Sequence, residues 1–190
     1  MAENKEKLGL FFPTPIQVSE IAGAAQLNER LLAATEELMR TTANKVPDGW
    51  SCDLYTTIRT ADQLHEHPGF RELTPHIYSE ATKLVHALKL DVATYPLKIT
   101  SCWINVYGKT HAQEVHNHAN NVLSGVYYVQ VPPGAPGIMF HSPMSDLMFR
   151  PPSRELNALN LMSFTHPARS GEMVLFRSFV RHSVPPNQVD

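Results

Sequence analysis

The chain has 190 residues, 43% hydrophobic and 18% charged, with a formal net charge of −2; one globular domain fits that length, and nucleic-acid binding is disfavoured because no basic excess exists to neutralise phosphates. No apolar run reaches the roughly 20 residues of a membrane span, and the opening Met1-Ala-Glu-Asn-Lys-Glu-Lys7 lacks the apolar stretch of a secretory signal. Cys52 and Cys102 are too few for a disulfide framework, so the expectation is a soluble cytoplasmic protein with reduced thiols.

Residues 8–17, apolar and punctuated by Pro13 and Pro15, read as a first strand or edge segment. Ser19 or Asn28 could cap the helix that follows, in which Leu27, Leu31, Leu32, Ala34, Leu38 and Met39 recur at helical spacing until about Thr42. A second amphipathic pattern runs from about Phe70 to Leu88, with Leu73, Ile77, Ala81, Leu84, Val85 and Leu88 on one stripe. Near Pro96 the character changes. Short β-rich runs follow at 99–107, 124–131, 138–140, 159–164 and 173–179, with turns at Pro132-Pro133-Gly134 and Pro136-Gly137. The expected fold class is α+β, a double-stranded β-helix (jelly roll) core with N-terminal bracing helices: residues 1–95 mainly helical support, residues 96–190 the core. A Met-rich stretch, Met139 to Met162 with Met144 and Met148 among prolines, reads as loop anchors or as an adaptable lid.

Three of the ten histidines adjoin strand-like runs. In His116-Asn117-His118 the two imidazoles are two residues apart, so on a strand they point to one side while Asn117 points away. His182 follows the run Gly171-Glu-Met-Val-Leu-Phe176. This pattern is a candidate metal site of His116, His118 and His182, although His118 could instead serve a loop carbonyl. Val126, Tyr128, Val174 and Phe176 are candidates for the apolar wall around it. His65, His67 and His76 read as surface residues, His86 as an interface histidine, and His111, His141 and His166 as loop residues.

The runs Trp103-Ile-Asn-Val-Tyr-Gly108, His116-Asn-His118, Leu123-Ser-Gly-Val-Tyr-Tyr-Val129 and Gly171 through His182-Ser-Val-Pro-Pro-Asn187 together resemble the bacterial and phage 2-oxoglutarate/Fe(II) oxygenases, relatives of the aspartyl β-hydroxylase-like jelly rolls. Leu10-Phe-Phe-Pro-Thr-Pro-Ile16 and Asp48-Gly-Trp-Ser51 are similar to that family's opening segments. The resemblance implies Fe(II) and 2-oxoglutarate as cofactors, the second chelating the metal and supplying electrons to split O2. It places His116 and His182 as the ligand pair and His118 where a carboxylate usually stands, so His118 is either a third ligand or replaced by water. Asn105 and Tyr127 fall at positions that contact 2-oxoglutarate in those relatives, and an amide and a phenol can both donate to a carboxylate.

Two departures stand out. The family anchors the far carboxylate of 2-oxoglutarate with an Arg or Lys on a strand beyond the distal histidine, whereas this sequence stops at Asp190. The expectation is a core without that last strand, with Arg177 and Arg181 poorly placed to substitute. In Phe140-His-Ser-Pro143, Ser142 and Met144 stand where an acid and an arginine are usual. The resulting expectation is a dioxygenase that hydroxylates a small molecule or side chain. A cupin-like three-histidine dioxygenase without cosubstrate and an inactive relative are the alternatives. The expected partner is a small-molecule substrate, with neither nucleic acid nor membrane, and the chain could form a homodimer.

Overall fold

The computed structural model describes residues 7–144, 149 and 151–189; Met148 of the Met-rich stretch lies outside them. The chain order is β1 (Ile16–Glu20), α1 (Ala24–Thr41), β2 (Tyr55–Thr56), α2 (Thr74–Ala87), β3 (Asn105–Val106), β4 (Gln113–His116), β5 (Leu123–Tyr127), β6 (Ile138–His141), β7 (Ser163–His166), β8 (Glu172–Arg177) and β9 (His182–Val184). It is a mixed structure of two α-helices and antiparallel sheets. Among the described residues, no helix is long and apolar enough to cross a membrane.

The first strand begins later than the sequence suggests. Pro13 and Pro15 cannot donate to a sheet ladder, and the segment before Ile16 leaves Leu10, Phe11 and Phe12 exposed. Neither Ser19 nor Asn28 caps α1. Gly23, left-handed at φ 73°, starts that helix without a side-chain cap, while the Ser19 hydroxyl donates to Glu80 Oε2 at 2.6 Å and Asn28 Oδ1 accepts from Tyr127. At the second helix a short 3-10 turn, Arg71–Leu73, precedes α2, whose first turn holds Pro75.

Strands β1, β8 and β5 form one antiparallel sheet, β4, β9, β6 and β7 a second, and β2 and β3 a two-stranded ribbon. β8 is the central element because both of its faces are buried. Side chains alternate along a strand, so Met173 and Leu175 join Leu27, Leu31, Leu38 and Leu84 of the two helices, while Val174 and Phe176 meet Ile138, Phe140 and Val180 on the opposite side. Phe140 and Phe176, on different sheets, touch edge to face at 5.0 Å between centroids. Helices therefore cover one face of the three-stranded sheet, and the four-stranded sheet packs on the other. Gly125 allows the helix-side layer to close: a Cβ there would lie 2.3 Å from Leu175 Cδ2.

Candidate metal centre

The three histidines come together. His116 and His182 are directly paired across β4 and β9, their rings 4.2 Å apart between centroids. His118 lies just beyond the end of β4, its backbone N–H donating to the Ser178 carbonyl at 3.0 Å, and its ring stands 5.1 Å from His116 and 5.2 Å from His182. One nitrogen from each imidazole lies within 4.8 Å of the others. Asn117 between them is exposed, as the two-residue spacing requires.

Hydrogen bonds set which nitrogens face inward. His116 Nδ1 is 2.8 Å from the Glu114 carbonyl and His182 Nδ1 is 3.0 Å from the Val180 carbonyl. A carbonyl only accepts, so each Nδ1 carries a proton and in the neutral ring each Nε2 keeps a free lone pair, the tautomer that a metal ligand needs. Burial, with the Val180 carbonyl opposing and His116, His118 and His141 adding, lowers the His182 pKa to about 4. Burial and then His116 lower that of His118. Three imidazoles gathered this closely, each offering one nitrogen within 4.8 Å of the others, fit a divalent transition metal.

Of the residues expected to wall the site, Phe176 stacks edge-on to His182 at 4.8 Å, and Val126, Tyr128 and Val174 share its cluster. Trp103 meets His118 at 5.8 Å, also edge-on. Asn105 bridges two elements. Its Oδ1 accepts from Thr56 Oγ1 at 2.7 Å, and its side chain hydrogen-bonds Tyr107, whose phenol burial drives well above the usual range. Tyr127 is set differently from its neighbours. It packs in the helix-side cluster and donates to Asn28 at 2.6 Å, while Tyr128, one residue on, lies on the side of the histidines and is pushed up to about 12 by burial. Side-chain alternation is the reason: Tyr127 faces the helices and Tyr128 the second sheet, where it is close enough to Tyr107 to help raise that phenol.

Four other histidines sit differently from the sequence expectation. His65 is half-buried, its Nδ1 enclosed and unpartnered, whereas His86 is exposed. His141 is on β6, Nε2 2.9 Å from Ser183 Oγ, and His166 is on β7, 3.0 Å from buried Glu172. Arg177 is exposed and lies over the Phe179 ring at 5.2 Å, and Arg181 bears on His141. Asn187, the last residue of the run that begins at His182, is buried, donates through Nδ2 to the Gly108 carbonyl at 3.1 Å and clamps the turn that leads into β4.

A mixed helix-and-sheet scaffold that gathers three imidazoles, one of them packed on Phe176, defines a candidate mononuclear metal protein. Residues 101–190 match the model of a family described as Putative 2OG-Fe(II) oxygenase. Over that segment, which holds all three histidines, the match bears out the resemblance drawn from the motifs. Among curated proteins, none matches the chain.

Proposed function

We propose that this protein is an Fe(II)- and 2-oxoglutarate-dependent dioxygenase, built on a jelly-roll core, that hydroxylates a small molecule or a side chain. The observation that carries the reading is the convergence of His116, His118 and His182, within 4.8 Å of one another, inside a segment that matches the oxygenase family. Iron held there, chelated by 2-oxoglutarate, would supply the activation of O2. The chain's own contributions are separate from that chemistry. The Glu114 and Val180 carbonyls hold two imidazoles in the ligating tautomer. Phe176, Val126 and Val174 keep the surroundings apolar, which strengthens polar contacts to a bound anion. Asn105 and the phenols of Tyr127 and Tyr128 offer hydrogen-bond donors without charge, and the position of Tyr128 in the cluster that holds Phe176 supports it as a further candidate for that role.

The third imidazole favours a second reading, a cupin-like three-histidine dioxygenase that needs no cosubstrate. Aerobic assays separate the two. The proposal predicts Fe(II)-dependent conversion of 2-oxoglutarate to succinate, lost in His182→Ala. Iron-dependent oxygen uptake that ignores 2-oxoglutarate would select the second reading.

A further inference from the structure

Gln113 and Val184 are cross-strand partners, as are His116 and His182, with a register shift between the two pairs. His182 and Val184 are two apart on β9 and share a face, and directly paired residues share a face too. The irregularity in β4 thus puts Gln113 on the same face as His116 although the two are three residues apart. Gln113 is 6% exposed and its Oε1 has no hydrogen-bond partner. The other end of the amide is fixed, because Nε2 donates to Glu114 Oε2 at 3.0 Å and the opposite orientation would set oxygen against carboxylate. A buried amide oxygen left unpaired is a desolvated acceptor awaiting a donor.

The Glu114 carboxylate beside it accepts the Ser51 N–H as well. Ser51 belongs to the 46–53 loop, which with Trp50 lines an open groove of about 510 Å³. Charges at this loop are Asp48 with Arg59 at 3.3 Å and Asp53 with His111 at 3.6 Å, both acids almost fully exposed.

We propose that Gln113 Oε1 and the Glu114 carboxylate form a recognition subsite for a guanidinium or ammonium group of the substrate, entered along the 46–53 groove. This rests on the oxygenase reading for the substrate's fate and assigns its chemical class. An acceptor pair with one negative charge repels carboxylates and phosphates, so it serves the substrate rather than 2-oxoglutarate. Same-face neighbours on a strand are about 7 Å apart, which places the cation one step along the sheet from the metal and the oxidised carbon a few bonds from it.

The test is calorimetric titration of the Zn(II)-loaded full chain with butylguanidinium, with 1-butanol as the neutral control and acetyl-arginine methylamide as the peptide-borne form. Zinc stoichiometry is measured first on each protein. The cation should bind saturably and 1-butanol should not. Glu114→Gln should weaken the cation about tenfold or more, and Gln113→Leu, which removes the orphaned oxygen at similar volume, severalfold, with zinc retained in both. Tighter binding of the peptide-borne form assigns a protein side chain as substrate, and tighter binding of the free cation a small molecule. Equal affinity in wild type and Glu114→Gln, no cation binding by the wild type, or 1-butanol binding as well as the cation would overturn the subsite. Failure to take up zinc would instead count against the metal reading, since neither Gln113 nor Glu114 is among the three histidines.

Discussion

His116 and His182 face one another across β4 and β9 as direct cross-strand partners, rings 4.2 Å apart, each with its Nδ1 tied to the carbonyl two residues before it. Two adjacent strands thereby supply two preoriented ligands, with no loop ordering required on binding.

Removing either ligand should abolish tight metal binding. His116→Ala and His182→Ala are expected to lose stoichiometric Fe(II) and Co(II), measured as metal content after desalting. The His182 substitution should be the more damaging to the fold, because His182 is buried and packs on Phe176.

His118 offers its own readout. Trp103 and Trp50 are the only tryptophans, and Trp103 lies against the His118 ring. Co(II) titration should quench the fluorescence of a Trp50→Phe protein stoichiometrically. With His118→Ala added, affinity should fall by about tenfold or more. An unchanged titration would leave two histidines as the whole protein ligand set.

The metal-free protein should lose stability on mild acidification. His182 is held at about 4, chiefly by burial, against an ordinary value of about 6.5. The unfolded chain therefore binds the extra proton across that window, so the stabilisation is complete above about pH 6.5 and lost as the pH falls towards 4, up to about 3 kcal/mol. Urea unfolding at pH values spanning the window measures it, and His182→Gln should flatten the dependence.

Gly125→Val should destabilise the sheet beneath the helices. The new Cβ would meet Leu175 Cδ2 at 2.3 Å and the Val174 carbonyl oxygen at 3.1 Å, at a cost of about 1–3 kcal/mol, visible as a lower Tm with zinc uptake retained.

The helices and the metal cluster were legible in the sequence because each rests on spacing. Leu27, Leu31 and Leu38 repeat with the helical period, and the His-x-His pair carries its own geometry. β8 was legible as a continuous apolar run, since both its faces are buried. β4 was not. Gln113-Glu-Val-His116 has no clean alternation, and the bulge that aligns Gln113 with His116 depends on β9, nearly seventy residues away. The same long-range pairing decides which phenol of Tyr127-Tyr128 faces the second sheet, a choice that composition leaves open. Pro13 and Pro15 mark a boundary, and the apolar residues before them, strand-like in composition, lie ahead of the first strand, which begins only at Ile16.

The most direct test of the central claim is an anaerobic titration with Fe(II) followed by 2-oxoglutarate, monitored for the weak visible charge-transfer band of the chelate. A band that grows and saturates with 2-oxoglutarate, and is missing in His116→Ala, is the predicted result. Stoichiometric iron that gives no band at any 2-oxoglutarate concentration would contradict it.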